Sequence, residues 1–468
     1  MKKVSHNLHV APRQPGKRRF RAPPKSPPPP PKPKAAWGRY EQFYACFAGL
    51  ILGLIFAKFG NPAILNKLVV YPKNIYEFIL YPWPLLWGYG LLGVLIVLGL
   101  PLVRLPGGDA RKLALLPALW IGWVWLSSLH ATDPRLSRLT LPYMTAVAAC
   151  YYIGLLILPQ VGDTKSFWGP FFVAFLCVLA IGFEQHFGGL ARVREEVMAN
   201  PDWRQLPAEF LKRLEKERIF GTLFYPNSFA GGLLLLLPAM TMAGWLLTEG
   251  IPKAARVLIV GSVAVAGLAC LVWSQSKAGW LIAVPMAALL WWRLPLRTLW
   301  RAGLLAVLLA AGLGLFGLRY AGYFKKGAPS VGARLGYWKA AAQVVKERPF
   351  FGAGPGCFAA EYHKRKPPEA EMAKLAHNDY LQQACDSGVP AGAAYLLAVW
   401  LPLLLRRRRA WDDALAFSIW LGLLGWAIHS FVEFHLYIPA TGWIGWAFLG
   451  WLTALEGEAP PPLPARRP

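Results

Sequence analysis

The stretch GTLFYPNSFAGGLLLLLP, residues 221–238, passes from loop-forming to strongly apolar sequence within a few positions. Pro226 and Asn227 precede an unbroken run of leucines, and apolar residues continue to about 247. Roughly 17–25 apolar residues are needed for a helix to cross the hydrocarbon core of a bilayer. The stretch therefore predicts a loop that leads into a transmembrane helix.

The same pattern recurs along the 468 residues, of which 56% are hydrophobic. Soluble domains are nearer 45–50% apolar, so a soluble core would not bury this many apolar side chains. We predict an all-α polytopic membrane protein with about twelve transmembrane helices and a large outer loop between the ninth and tenth. The predicted spans are 42–59, 78–101, 113–130, 140–158, 167–185, 223–247, 255–273, 278–293, 300–319, 388–405, 414–431 and 436–455.

The charge pattern predicts the orientation and the domain limits. Residues 1–36 are rich in Pro, Lys and Arg and predict a disordered cytoplasmic tail, which acts either as a solvated topology anchor or by binding anionic lipid. A single transmembrane domain follows over 37–456, and 457–468 form a second cytoplasmic tail. Alternating the spans then places most short basic loops in the cytoplasm, as the positive-inside rule expects. The longer loops 186–222 and 320–387 lie outside.

The formal net charge of +26 raises the alternative of a nucleic-acid-binding protein. Much of this charge lies in the tail and in the predicted cytoplasmic loops. The sequence has no zinc-finger spacing and no RNA-binding signature. We therefore predict no nucleic-acid partner.

Four polar segments fall at the outer face in this topology. They are GTLFYPNSFAGG, WSQSKAGW, the long loop and HSFVEFHLYIP, at 221–232, 273–280, 320–387 and 429–439. A polar site at one membrane face suits an enzyme that acts on a membrane-anchored substrate. A transporter would instead place ionisable residues near the middle of the membrane, so the pattern favours an enzyme.

Several residues in these segments have a structural and a functional interpretation. Asn227 suits the N-cap of the next helix, and capping is the simpler explanation. Lys277, after Ser276, either snorkels from the end of a span or binds an anion. Leu335, Trp338, Ala342 and Val345 predict an amphipathic surface helix over 334–347. Arg334 begins this helix and is either an ordinary exposed arginine or, with helix N–H groups, a diphosphate clamp.

The rest of the long loop contains a glycine-rich turn and a histidine. ERPFFGAGPGCF, 347–358, predicts a tight turn, because the strand that precedes a dinucleotide loop is missing. In AKLAHNDYLQQACDSGVPAG, 373–392, Asp379 and Gln382 predict a capped helix start, and Gly388 predicts its end. His377 then lies just outside a helix N-terminus. There it is either a structural histidine or a base that takes a proton from a hydroxyl.

Three further features remain open or are set aside. His429 and Glu433 have the spacing of one helix face, but no second cluster of ligands supports a metal site. Cys357 and Cys385 are either a disulfide or two free thiols. The segment 203–220 predicts an amphipathic helix that either shapes the acceptor path or is a scaffold.

Taken in order, these segments resemble the O-antigen ligase and O-antigen polymerase superfamily of bacterial membrane glycosyltransferases. The resemblance rests on GTLFYPNSFAGGLLLLLP, WSQSKAGWL, RLGYWKAAAQVVKERPFFGAGPGCF, AHNDYLQQACDSGVPAG and HSFVEFHLYIPA, and covers about residues 115–455. It implies a metal-independent, inverting transfer of a glycan from undecaprenyl diphosphate to an acceptor hydroxyl, such as a lipid A-core sugar, without a cofactor. It also implies the bacterial inner membrane, with both termini cytoplasmic and the active site periplasmic.

The resemblance also assigns roles to residues. His377 would be the base, and Arg334 would bind the diphosphate and stabilise it as it leaves. Lys277 replaces the arginine of the family's Ser-Arg turn, so the second diphosphate contact comes from Lys277, Arg348 or Arg218. The supporting residues would be Asn378, Asn227 and Ser276.

The resemblance leaves three activities open within the superfamily and one outside it. The chain is either a ligase, a polymerase that uses a second lipid-linked glycan as acceptor, or a protein O-oligosaccharyltransferase. A transporter or flippase for lipid-linked sugars is the alternative from another class, and the position of the polar cluster argues against it.

Overall fold

The structure is a computed structural model that describes residues 38–161, 164–199, 217–293, 298–325 and 327–455. The predicted tails 1–36 and 457–468 lie outside the described residues, as does the predicted helix of 203–220 as far as residue 216. All described residues belong to one compact unit. The domain limits predicted above remain predictions.

Within these ranges the chain forms helices and no strands. Eighteen α-helices are present, and they are α1 Arg39–Lys58, α2 Ile75–Leu80, α3 Leu85–Gly99, α4 Gly108–Leu113, α5 Leu115–Ser128, α6 Pro134–Leu156, α7 Lys165–Glu184, α8 Leu190–Ala199, α9 Pro226–Leu247, α10 Lys253–Trp273, α11 Lys277–Trp292, α12 Thr298–Lys325, α13 Pro329–Glu347, α14 Phe358–Arg365, α15 Asp379–Leu405, α16 Arg407–Asp412, α17 Ala414–His429 and α18 Pro439–Ala454.

Each of the twelve predicted spans overlaps at least one of these helices. Eight helical segments are long and apolar enough to cross a membrane, and α11 and α17 are shorter apolar helices. The chain is therefore a polytopic membrane protein, while the number of twelve spans and the side of the long loop remain predictions. The span predicted over 78–101 is interrupted, because Pro82 and Pro84 separate α2 from α3.

Helix α18 lies at the centre of the described fold, and every residue from Pro439 to Thr453 is buried. It packs most extensively against α6. A Cβ atom at Gly154 of α6 would lie 1.8 Å from the Ala447 oxygen, and one at Gly450 would lie 1.9 Å from the Tyr151 oxygen. Small residues allow such close contact between helices in a membrane, where packing rather than water drives association. The pairs α1 with α7, α9 with α17, and α5 with α15 surround this centre.

The long loop between α12 and α15 has a small apolar core of its own. This loop begins after Lys325, because α12 continues for six residues beyond the predicted end of the span at 319. The core is formed by α13, the glycine-rich turn, α14 and the start of α15, and includes Ala341, Val344, Phe358 and Cys385. This part of the protein is therefore a folded layer that holds the residues around His377 in place.

Helix α15 is two helices joined at a break. Gly388 has φ 82° and ψ 171°, outside the helical region, as the predicted helix end at this residue requires. The two halves fold against each other, since a Cβ atom at Gly392 would lie 2.8 Å from the Ala384 Cβ. Only the second half extends along a predicted span.

Candidate active site

Glu433 lies in the turn between α17 and α18, and only 2% of its side chain is exposed. Its carboxylate contacts three other segments of the chain. Arg334 of α13 donates a charged hydrogen bond to Oε1, and Asn227 Nδ2 donates to the same oxygen at 2.6 Å. His377 Nδ1 lies 3.3 Å from Oε2. A buried carboxylate needs such partners, because its desolvation would otherwise cost several kcal/mol.

The electrostatics of this cluster favour the ionised carboxylate. Burial alone would raise the pKa of Glu433, but the positive charge of Arg334 and the contact with His377 outweigh it and hold the pKa well below its usual value. Glu433 is therefore an anion at neutral pH. It can accept a hydrogen bond from His377 and stabilise a positive charge that develops on that imidazole.

The cluster extends to the remaining polar segment, 273–280, through Arg218. The Arg218 Nη2 donates to Asn227 Oδ1 and its Nε donates to the Ser274 carbonyl, both at 2.9 Å. The four polar segments predicted at the outer face thus meet around one carboxylate. Arg218, weighed as an alternative cation, lies next to the cluster.

The predicted N-cap role of Asn227 is wrong. Helix α9 begins at Pro226 with Tyr225 as its N-cap, and Pro226 suits the first helical position because it lacks an N–H group. The Asn227 amide is occupied by Glu433 and Arg218 instead. Its contacts therefore support the site interpretation.

His377 is held in a strained position at the surface of the cluster. Its φ of +52° is in the left-handed region, which costs of order 1–3 kcal/mol for a residue that is not glycine. Phe434 packs edge-on to the imidazole, with ring centroids 4.6 Å apart, and Tyr337 stacks at 5.8 Å. The side chain is 29% exposed, so a substrate can reach the ring while Nδ1 faces Glu433.

The backbone on both sides of His377 is fixed by hydrogen bonds. Asn378 is the N-cap of α15, and its Oδ1 accepts from the Leu381 amide at 3.0 Å. The predicted cap, Asp379, is wrong, since its carboxylate accepts from the Leu436 amide at 3.0 Å and so holds the Glu433 turn. On the other side, Gln382 Oε1 accepts from the Ala376 amide at 2.7 Å.

The glycine-rich turn belongs to the same support. Asp386, which is buried, accepts hydrogen bonds from the Gln382 amide at 2.9 Å and from the backbone amides of Gly356 and Phe358 at 3.1 and 3.2 Å. These N–H groups are thus engaged by a protein carboxylate, as in a tight turn and unlike a phosphate-binding loop. The turn holds Gln382, and through it the backbone before His377.

Arg334 lies in the cluster, but it does not begin a helix. Helix α13 begins five residues earlier at Pro329, whose fixed φ suits a first helical position. The unpaired N–H groups of the first turn therefore precede Arg334. The prediction that Arg334 and these N–H groups form one diphosphate clamp is wrong. The predicted apolar face is also shifted, since Leu335 is 55% exposed and Ala340, Ala341 and Val344 are buried.

The remaining predicted site residues, Ser276, Lys277 and Arg348, have the following surroundings. Ser276 is the N-cap of α11 and accepts from the Gly279 amide at 3.3 Å. The Lys277 ammonium lies over the rings of Tyr323 and Tyr320 on α12, at 4.1 and 5.0 Å from the ring centroids. Arg348 follows the end of α13 and is exposed.

His429 and Glu433 do not share a helix face, because α17 ends at His429. His429 Nδ1 and His435 Nε2 instead lie 2.8 Å apart in a buried pair. The described part of the chain holds no group of three or more His, Cys, Asp or Glu residues that would bind a metal ion. Cys357 and Cys385 are free thiols in the apolar core of the long loop.

Glu433 was considered above only as a metal ligand together with His429, whereas the structure places it at the centre of the cluster. The signal was a single carboxylate within HSFVEFHLYIP, between two apolar spans. An isolated acidic residue in such a segment needs a cation, and Arg334 was among the cations already proposed.

A comparison with known families gives one match. Residues 262–396 match a family model described as O-antigen ligase. The match confirms the resemblance to the O-antigen ligase superfamily and contains Lys277, Arg334 and His377, while Asn227 and Glu433 lie outside the matched range. No curated protein matches the chain.

Proposed function

We propose that this chain, which resembles the O-antigen ligase superfamily, transfers a glycan from a lipid diphosphate carrier to an acceptor hydroxyl at the periplasmic face of the inner membrane. The observation that carries the proposal is the contact of one buried carboxylate, Glu433, with both His377 and Arg334. These are the two residues that the resemblance names as base and diphosphate ligand. The carrier is proposed to be undecaprenyl diphosphate.

The chemistry follows from the positions of these groups. With Nδ1 facing Glu433, the Nε2 atom of His377 is the one available to an acceptor hydroxyl. The hydroxyl oxygen forms a bond to the anomeric carbon as Nε2 takes its proton, and the bond from that carbon to the diphosphate oxygen breaks with its electron pair. Glu433 then stabilises the imidazolium. Attack opposite to the leaving group inverts the anomeric centre.

The leaving diphosphate needs fixed cations more than an acid, since it departs as an anion. Arg334 is 17% exposed and shares the Glu433 carboxylate with the proposed base. Arg218 extends the positive charge on the α9 side, and Lys277 is positioned on α11 by the aromatic rings of α12. Fixing the two substrates together contributes further, because a bimolecular step becomes effectively unimolecular.

The experiment that tests this function is the envelope glycan profile of a deletion strain complemented with the wild-type chain or with H377A. Long glycans left on the carrier, with bare acceptor, support a ligase, and single repeat units support a polymerase. H377A protein that reaches the membrane in normal amount should fail to restore the profile. An unchanged profile in the deletion strain, or full activity of H377A, would overturn the proposal.

A further inference from the structure

An apolar notch of about 460 Å³ opens beside His377, between the two halves of α15. Its volume is within the range of small-molecule binding sites. The first half supplies Tyr380, Leu381 and Ala384, and the second half supplies Val389, Gly392, Ala393 and Leu396. Phe431 closes one side, and Asn378, the residue that follows His377, is the polar residue at its edge.

The break at Gly388 makes this notch. An unbroken helix would place residues eight positions apart about 12 Å from each other, whereas Gly392 packs directly against Ala384. Small side chains at these positions leave the space between the halves unfilled. Val389, Leu396 and Phe431 are 38–49% exposed, so the notch is open on the side of the second half of α15, a helix in a predicted span.

The notch and the cation cluster are adjacent. Asn378 is covalently next to His377, and His377 shares Glu433 with Arg334. A ligand that fills both must carry an anionic head directly attached to a hydrocarbon chain. A polyprenyl diphosphate has this form, whereas the accepting hydroxyl of a glycolipid acceptor is separated from its acyl chains by sugars. The polar residue Asn378 at the edge of the notch would face the diphosphate, and the apolar interior would hold the polyprenyl chain.

We infer that this notch binds the isoprene units of the carrier lipid that lie next to the diphosphate. The inference rests on the proposed function and adds to it a site for the chain of the donor. By holding the first units of the chain, the notch fixes the diphosphate against Arg334 and the anomeric carbon near His377.

The notch offers a matched pair of variants. Leu396 lines it and is 38% exposed, while Leu397 is 43% exposed and does not line it. Tryptophan at either position remains on the exposed surface of the same helix, but only L396W fills the notch. The probe is undecaprenyl diphosphate with a diazirine on its first isoprene units, added to the full chain in phosphatidylglycerol vesicles.

After irradiation, we expect labels on peptides that contain Val389 to Leu396 or Phe431 in the wild type and in L397W. Labelling of these peptides should fall at least fivefold in L396W, and unlabelled undecaprenyl diphosphate should compete where extra phosphatidylglycerol does not. Labels elsewhere, equal labelling of both variants, or equal competition by phosphatidylglycerol would overturn the inference, the last because it would identify ordinary bilayer lipid.

Glycan transfer by the same wild-type preparation separates the two proposals. Transfer without labelling of the notch would leave the proposed function standing and remove the site. If the preparation showed no transfer and the carrier lipid labelled no peptide, the result would contradict both proposals.

Discussion

Glu433 joins the proposed base and the proposed diphosphate ligand through one carboxylate. Because this side chain is buried and contacts both Arg334 and His377, its loss leaves the Arg334 charge and the His377 imidazole without this partner. Removing only the charge, in E433Q, keeps the shape of the side chain. The effect of this variant is therefore on the electrostatics of the site more than on its packing.

We predict that E433Q lowers kcat for transfer by roughly 10²-fold or more, since an unsupported base loses much of its contribution. The measurement is the initial rate with a lipid-linked glycan donor in proteoliposomes. The control is E361Q, because Glu361 is also buried and paired with Lys364 and Arg365, but in α14. A wild-type rate for E433Q, or an equal loss in E361Q, would contradict the central role of Glu433.

A second prediction concerns the folding stability of the protein at low pH. Burial, followed by the proximity of His429, lowers the pKa of His435 well below its ordinary value of 6.5. The folded state therefore binds this proton more weakly than the unfolded state. The contribution to stability is fully present above pH 6.5 and is lost as the pH falls from 6.5 towards the folded pKa.

Thermal unfolding in detergent between pH 8 and pH 5 measures this effect. The Tm of the wild type should fall below pH 6.5, and the fall should be smaller in H435Q, which has no proton to bind at this position. Parallel profiles for the two proteins would show that His435 is not responsible.

Single residues were predictable where a polar side chain interrupted apolar sequence. His377 and Arg334 were identified in this way, and the structure brings them together. Asn227 and Glu433 were interpreted by local rules, as a cap and as part of a helix face, because their true partners are far away in sequence. Glu433 and Asn227 are 206 positions apart. Local sequence does not contain such a pairing.

At the scale of helices, the break in α15 is the feature on which the site depends. Gly388 has a positive φ, and a Cβ atom there would lie 2.0 Å from the Phe350 carbonyl oxygen. Residues other than glycine are strained in this conformation and would also displace the glycine-rich turn.

We predict that G388A destabilises the protein by roughly 2–4 kcal/mol, from backbone strain together with the clash. G90A in α3 is the matched control, because nothing lies within 4 Å of its Cβ position and alanine favours a helix interior by about 1 kcal/mol. Denaturant unfolding in mixed micelles measures both. Equal stability of G388A and G90A would show that the break is not required.

The contact of Gln382 with the Ala376 amide gives a prediction about rate. In Q382M this amide loses its acceptor, so His377 is held less firmly and kcat should fall by about tenfold with little change in KM. Q383M is the control, since Gln383 bonds Trp120 and Tyr437 instead. Each variant leaves a buried group unpaired, so similar loss of stability but unequal kcat is expected. Equal rates would leave Gln382 with a structural role only.

Helices were predictable because their apolar lengths are set by the membrane. The end of a helix at Gly388 was also predictable, since glycine and the following proline both disfavour its continuation. The start of α13 was missed, because the sequence before Arg334 has no apolar periodicity. Pro329 is the signal for that start, since its fixed φ suits a first helical position.

For the whole molecule, the arrangement of spans makes a prediction about sides. Lys339 on α13 and Arg407 on α16 are exposed and lie on opposite faces in the twelve-span topology. In a variant without the native cysteines, K339C should react with a membrane-impermeant maleimide once the outer membrane is opened. R407C should react only after the inner membrane is also opened. The reverse order would invert the topology, and reaction of both at the first step would change the number of spans between them.

The arrangement of the helices around one another was beyond prediction from apolar length alone. Twelve similar segments do not reveal which one is central. The small residues that allow α6 and α18 to touch were visible in the sequence, but glycine is frequent in apolar helices for several reasons. The charge pattern predicted that the polar segments lie at the same membrane face. The contacts among these segments depend on how the helices pair, which the charge pattern does not contain.

The central position of α18 also has a consequence for biogenesis. Helices enter the membrane in the order of their synthesis, and α18 follows every helix that it packs against. The space that α18 occupies between these helices is therefore filled only after all of them have been synthesised. Glu433 immediately precedes this helix, so the cluster is assembled only at that late step. A chain that ends before α18 therefore lacks the packing that completes the cluster, and we expect it to be inactive.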